Sequence, residues 1–98
     1  MTRGPERERP DYGQTRCAAE QTRQIMQNLQ TVLRGAGTTL ERAVMARIYL
    51  VNFAADYPSM NAVYASYFKP GRFPARTTVG VTNLALGSLV EIDFIVRL

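Results

Sequence analysis

Residues 73–81 read FPARTTVGV, which is typical of a turn that leads into a short β-strand. Pro74 fixes its φ angle and has no N–H to donate, so it suits the start of a strand better than the middle. The β-branched residues that follow favour an extended backbone. Because side chains alternate along a strand, Arg76, Thr78 and Gly80 share one face, and the valines lie on the other. The pattern predicts an arginine at the start of a strand, on a face of small residues.

Arg76 has two interpretations at this point. Its guanidinium is a planar fork of N–H donors that matches a carboxylate in a bidentate geometry, which makes it a candidate anchor for an anionic ligand. Alternatively, it is a solvated charge on an edge strand. The strand pattern by itself leaves both open.

The absence of histidine narrows the chemistry. The 98 residues include no His and a single Cys, Cys17. This composition argues against a zinc site, a disulfide framework and Ser–His or Cys–His nucleophile pairs. Any catalysis must use arginine, lysine, carboxylates, tyrosine or bound water. Cys17 is either a thiol activated in the first turn of a helix or an incidental residue without a partner base.

Length and composition indicate one small globular domain. Hydrophobic residues make up 46% of the chain, enough for one modest core. The sequence has no run of ~18 apolar residues and no apolar signal-peptide segment, so we expect a cytoplasmic protein. The net charge of +4 comes from scattered arginines rather than a basic stripe with interleaved aromatics. This dispersion argues against specific nucleic-acid binding.

Residues 1–14 combine glycine, proline and alternating charges, and they predict a flexible tail. An α+β domain is expected over residues 15–98. Its first helix is predicted to begin with Thr15 as N-cap, to hold Cys17 in its first turn and to stop at the glycines 35 and 37. The apolar side of this helix comprises Ala18, Thr22, Ile25, Leu29, Val32, Leu33 and Ala36. A helix this one-sided should lie on a sheet.

A strand is predicted over residues 43–51. It is largely apolar on both faces, so we expect a central strand covered on both sides. Arg47 is the exception, and we expect it to meet a carboxylate or an interface. Just before the strand, Thr38 and Glu41 have the spacing of a capping box.

A second helix is predicted to open at Asp56-Tyr57-Pro58, with proline and Asn61 in its first turn. Its apolar stripe, which we interpret as core, comprises Met60, Val63, Tyr64, Tyr67 and Phe68.

The last strand is predicted over residues 89–98. If it pairs with the strand of Arg76 as an antiparallel hairpin, the register lies near 76↔95. Glu91 and Asp93 then share a face with Arg76. That constellation is either an ion pair or a pocket that holds a carboxylate substrate and a water.

Four separated segments resemble the Rid family, the reactive intermediate deaminases also called YjgF-like proteins. The segments are residues 36–41 (AGTTLE), 56–64 (DYPSMNAVY), 73–79 (FPARTTV) and 90–93 (VEID). They resemble the turn after the family's first helix, its second-helix motif and its closing signature. The resemblance runs from about Ala18 to Leu98, with every element in order.

The resemblance implies a chorismate-mutase-like α+β fold and a homotrimer. It also implies hydrolysis of enamines and imines to 2-keto acids and ammonia, without a metal or organic cofactor. By position, Arg76 matches the arginine that clamps the substrate carboxylate, and Glu91 matches the glutamate that positions water. Tyr57, Asn61 and Thr78 fall on substrate-binding positions. Because an imine is already electrophilic, orientation and charge stabilisation can suffice without histidine.

Relatives carry an N-terminal strand pair that also lines the site, and residues 1–14 do not resemble it. We therefore expect an N-terminally truncated sheet with three strands instead of about six, and with an exposed edge. Both helices should pack on one face, against Val44, Ile48, Val79, Val81, Ile92 and Phe94. The other face should be buried between subunits of a trimer, through Met45, Tyr49, Val51, Leu89 and Ile95.

Two further functions remain open. One is a non-catalytic or regulatory protein that binds a small carboxylate in the same pocket. The other is a ribonuclease-type role, an activity ascribed to some relatives. The pair of Arg76 and Glu91 favours deaminase or binder, and the dispersed charge argues against the ribonuclease.

Overall fold

The computed structural model describes residues 17–98, which form two helices and a three-stranded sheet. The predicted tail over residues 1–14 and the predicted N-cap Thr15 lie outside the described residues. The helices are α1 (Ala18–Ala36) and α2 (Phe53–Ala65), and the strands are β1 (Ala43–Leu50), β2 (Ala75–Gly80) and β3 (Val90–Val96). Short 3₁₀ turns lie at Leu40–Arg42 and Ala85–Gly87.

Helix α1 begins one residue after Cys17, which is the N-cap and not part of the first turn as predicted. Its Sγ accepts a hydrogen bond from the backbone N–H of Glu20 at 3.4 Å. The predicted stop at Gly37 is confirmed, because this residue has φ 83° and donates its N–H to the carbonyl of Arg34. Glycine adopts this left-handed backbone conformation without steric cost, and it therefore commonly ends helices.

The predicted capping box at Thr38 and Glu41 is wrong. Thr39 precedes the 3₁₀ turn and makes no side-chain capping bond. The hydroxyl of Thr38 instead donates to the carbonyl of Arg97 at 2.8 Å. This bond ties the end of α1 to the end of β3, a long-range partner that local spacing cannot reveal.

Helix α2 begins at Phe53, three residues earlier than predicted, with Asn52 as N-cap. Pro58 therefore lies inside the helix, where its missing N–H leaves one position of the backbone ladder without a donor. The first turn of the helix is closed by the N–H of Asp56, which donates to the carbonyl of Asn52 at 2.9 Å. As a consequence, Tyr57 and Asn61 lie in the body of the helix.

The strand order is β2-β1-β3, with β1 parallel to β2 and antiparallel to β3. The prediction that β1 is central is confirmed, and the predicted hairpin between β2 and β3 is wrong. Helix α2 forms the crossover that lets β1 and β2 lie parallel. Residues 81–89 then carry the chain past β1 to its other edge, a connection much longer than a hairpin turn.

Both helices pack on the face of the sheet that carries Ala46, Ile48 and Leu50, which are fully buried. The predicted two-helix α+β fold is thereby confirmed. The buried core comprises Ala18, Met26, Leu33, Leu40, Ala46, Ile48, Leu50, Met60, Tyr64 and Val90. Phe94 and Ile92 pack against it, as predicted.

The predicted assignment of faces is wrong for β2. Its register pairs Arg76 with Ala46 and Thr78 with Ile48, so these residues lie on the helix face. Val79, predicted for that face, is 38% exposed. Gly80 faces Phe53 of α2, and a Cβ added to it would lie 3.4 Å from the Cβ of Phe53.

The opposite side of the sheet, here called the outer face, carries Met45, Tyr49 and Ile95, as predicted. Ile95 is 56% exposed, and Arg47 pairs with Asp93 on this face at 2.9 Å, which confirms a carboxylate partner for Arg47. Leu89 departs from the prediction and packs against the core. Val44, predicted for the helix face, is 44% exposed beside an irregularity in the β1–β3 pairing. In the part of the chain described, neither helix has the length and apolarity needed to cross a membrane.

Candidate active site

Arg76 is held in place by two side chains of α2. Its Nη1 donates to Oδ1 of Asn61 at 2.6 Å, and its Nη2 donates to the hydroxyl of Tyr57 at 2.7 Å. The two acceptors lie four residues apart, hence on the same side of the helix. The early start of α2 places both acceptors in the body of the helix.

The guanidinium also lies against two aromatic rings. Its central carbon is 5.7 Å from the ring centroid of Tyr57 and 5.1 Å from that of Tyr64. Tyr57 is in turn stacked on Phe53, with centroids 5.4 Å apart. Cation–π contacts of this kind stabilise an arginine without consuming its N–H donors. Of its five N–H donors, two are used by these partners, and the other three have no hydrogen-bond partner among residues 17–98.

A recess of about 230 Å³ opens beside the guanidinium, and we call it the Arg76 recess. It is lined by Asn61, Tyr64, Ala65, Phe73, Pro74 and Arg76. Charge and hydrogen-bond donors are thus concentrated at Arg76, while most of the remaining wall is apolar. Such a site suits a small anion with a short organic side chain.

Tyr64 is the most deeply buried polar residue of the recess, with 2% of its surface exposed. Burial raises the pKa of its hydroxyl above the ordinary value, and the nearby charge of Arg76 opposes that rise. The phenol is therefore neutral at physiological pH and keeps its proton. Its oxygen has no hydrogen-bond partner within residues 17–98.

Thr78 shares the helix face with Arg76 but does not line the recess. Its Oγ1 is buried and has no hydrogen-bond partner among the described residues. The predicted role of Thr78 in substrate binding stays a prediction.

Glu91 lies apart from Arg76, contrary to the predicted shared face. It pairs with Tyr49, three positions beyond the Ala46 that pairs with Arg76, so it falls on the outer face. Glu91 is exposed and contributes to a different groove of about 260 Å³, between α1 and β3, beside Gln24 and Ile25. The face of Glu91 was predicted wrongly because the prediction paired β3 directly with β2. In the structure β1 lies between these two strands, and the register is therefore different.

The structure thus brings together three of the five predicted site residues, namely Arg76, Tyr57 and Asn61. Sequence reasoning missed Phe73 and Tyr64, which it assigned to a turn and to the core stripe. A signal for Tyr64 was present, since a tyrosine on a core-facing stripe carries a hydroxyl that needs a partner.

The sequence profile of the Endoribonuclease L-PSP family matches residues 5–98. The chain belongs to this family, which includes the YjgF-like and Rid proteins. The predicted membership of the Rid family is therefore confirmed.

Similar proteins include several members of this Rid family. The 3-aminoacrylate deaminase RutC of Acinetobacter baylyi is 40% identical over 75 residues, which cover 76% of this chain and 58% of that protein. Reactive Intermediate Deaminase A of Arabidopsis thaliana is 35% identical over 79 residues, covering 81% of this chain and 41% of that protein. The crystal structure of the Rid protein YyfA from Yersinia pestis superposes with a TM-score of 0.77 at 42% identity, covering 82% of this chain and 63% of that chain. This Rid domain thus spans between two fifths and two thirds of the length of these relatives.

Proposed function

We propose that this Rid domain binds small 2-imino acids through Arg76 and hydrolyses them to 2-keto acids and ammonia. The observation that carries the proposal is the fixed guanidinium, held by Tyr57 and Asn61 with three N–H donors left at the Arg76 recess. The printed names of the deaminases from Acinetobacter and Arabidopsis support the reaction class. The proposed setting is the cytoplasm.

The proposed hydrolysis needs few catalytic groups. An enamine tautomerises to its imine, water adds to the C=N carbon, and the resulting carbinolamine releases ammonia to give the keto acid. A bidentate guanidinium holds the adjacent carboxylate and fixes the orientation of the C=N group. The apolar wall of the recess limits competing water and strengthens the charge interaction.

Arg76 and Glu91 can serve one ligand only if they come from two copies of the chain, because they lie on opposite faces of one sheet. The outer face, which carries Glu91, is the face predicted to lie between subunits. We therefore propose that a homotrimer combines the Arg76 recess of one copy with Glu91 of its neighbour, which positions the water. A homotrimer is what the family resemblance implies.

The test measures 2-keto acid release from freshly generated 2-aminoacrylate. Arg76→Lys keeps the charge but loses the planar fork, and Arg76→Ala loses both. Each should lower kcat/KM at least about tenfold, equivalent to about 1.4 kcal/mol of barrier. Glu91→Gln should also lower the rate. Arg23→Ala, an exposed change on α1, is the control and should keep the wild-type rate. Equal rates for Arg76→Ala and wild type would refute the proposal.

A second candidate is a binder of small carboxylates without catalysis. It is favoured by one observation, namely that no carboxylate from residues 17–98 of the same copy lines the Arg76 recess. Wild type that releases no keto acid, but binds 2-ketobutyrate and loses that binding in Arg76→Ala, would select this function. The ribonuclease-type role has no specific observation in its favour among residues 17–98.

A further inference from the structure

The hydroxyl of Tyr64 is a buried polar group for which the fold supplies no hydrogen bond. Only 2% of the surface of Tyr64 is exposed, and no group within the described part of the chain forms a hydrogen bond with its hydroxyl oxygen. Buried hydroxyls in folded proteins nearly always have a partner, so an unpaired one calls for an explanation. Tyr64 also lines the Arg76 recess, where a ligand would be its neighbour.

Within residues 17–98, no group accepts a hydrogen bond from the phenolic proton. The rings of Phe68 and Phe94 lie 5.0 Å and 6.2 Å from it, centroid to centroid, and carry no hydrogen-bonding atoms. The third neighbour is the guanidinium of Arg76, which has donors only. Replacing tyrosine by phenylalanine would satisfy the packing of this site equally well. The packing contacts among residues 17–98 therefore do not account for the hydroxyl.

A carboxylate on Arg76 would supply the missing acceptor. Its second oxygen has free lone pairs after a bidentate contact, and it would lie beside both the cation and the phenol. Burial holds the phenol in its protonated form, as a donor. A neutral donor next to a cation adds a hydrogen bond to the anion without adding a further charge that must be desolvated.

We propose that Tyr64 is a ligand-binding residue, whose hydroxyl donates a hydrogen bond to the carboxylate that Arg76 anchors. The inference rests on the proposed function and deepens it, since two residues, Arg76 and Tyr64, then bind the carboxylate of the ligand. It also defines the ligand class: a compact carboxylate that fits between the guanidinium and the phenol. An uncharged amide of the same shape would bind poorly, because it cannot accept as strongly from both groups.

The experiment compares ligand affinity with fold stability in Tyr64→Phe. Calorimetric titration with 2-ketobutyrate should give binding weaker by about tenfold or more, as expected for loss of a hydrogen bond to a charged acceptor. The midpoint of urea unfolding without ligand should be unchanged or higher, because the variant removes an unpaired buried hydroxyl. Tyr67→Phe, on a tyrosine outside the recess, is the matched control and should bind like wild type.

Each other result is informative. If Tyr64→Phe binds 2-ketobutyrate as wild type does, while Arg76→Ala does not, the role of Tyr64 is refuted and the proposed function stands. If Tyr64→Phe loses stability together with affinity, the hydroxyl serves the fold, and the inference is also refuted. If wild type does not bind 2-ketobutyrate, the role of Tyr64 is refuted, and keto-acid release by the wild type decides the proposed function separately.

Discussion

Arg76 is a residue whose function depends on what already surrounds it. The hydroxyl of Tyr57 and Oδ1 of Asn61 accept from the two Nη atoms at 2.7 Å and 2.6 Å, and both acceptors are neutral. A neutral acceptor orients the guanidinium and leaves its full positive charge for a ligand. The two helix residues that the family resemblance assigned to the substrate thus both contact the arginine.

Asn61→Asp tests the importance of that neutrality. The change keeps the shape and the acceptor but places a carboxylate on Nη1, which competes with the ligand for the charge of Arg76. We expect affinity for 2-ketobutyrate to fall at least about tenfold, with no loss of stability against urea. Tyr57→Phe, which removes one neutral acceptor and keeps the ring, should cost less affinity. Equal affinity of Asn61→Asp and wild type would show that the free charge of Arg76 is not what binds the ligand.

At the scale of elements, the end of α1 shows how position decides the effect of a glycine. Gly35 lies inside the helix, whereas Gly37 terminates it at φ 83°, and neither has a neighbouring atom within 4 Å of an added Cβ. An added side chain therefore has the same free space at both positions, and only the backbone conformation differs between them. Alanine favours the helical conformation of Gly35 and disfavours the left-handed conformation of Gly37.

Gly35→Ala and Gly37→Ala should consequently change stability in opposite directions. We expect Gly35→Ala to raise the free energy of unfolding by about 0.5 kcal/mol, through the entropy of the unfolded chain and helix propensity. Gly37→Ala should lower it by about 1 kcal/mol. Urea unfolding monitored by circular dichroism measures both. The same sign for the two variants would contradict the positions at which the structure ends α1.

At the scale of the whole molecule, the outer face is the surface that remains to be explained. Val79 and Ile95 are 38% and 56% exposed on it, around the ion pair of Arg47 and Asp93. A sheet face of this kind is typical of a contact between subunits. We predict a trimer by light scattering, which Ile95→Lys should dissociate without unfolding. A stable, well-behaved wild-type monomer would contradict the trimer.

Mixing two inactive variants tests whether the site is shared between copies. Arg76→Ala retains Glu91, and Glu91→Gln retains Arg76, so a mixed trimer can contain intact sites. Random assembly after co-expression should restore about a quarter of the wild-type rate, because each site needs one suitable copy on each side. If the mixed trimers recover no activity, Arg76 and Glu91 of neighbouring copies do not form one site.

The sequence alone determined the elements and the family of this protein. Periodicity located both helices and all three strands of residues 17–98, and the central position of β1 followed from its two apolar faces. These properties are local, because hydrophobic spacing and turn residues act over a few positions. The segment around Arg76 indicated a candidate anchor for the same reason, since an arginine on a small-residue strand face is visible in nine residues.

Tertiary structure alone decided which residues meet. Strand order placed β1 between β2 and β3, moved Glu91 to the outer face and turned Arg76 towards α2. Side-chain alternation gives two faces but does not say which one the helices cover, and the strand order and register settle that choice. Tertiary packing also placed Tyr64 beside Arg76 in the recess. The pattern of α2 alone cannot distinguish a tyrosine ring buried in the core from one that contacts an arginine of β2.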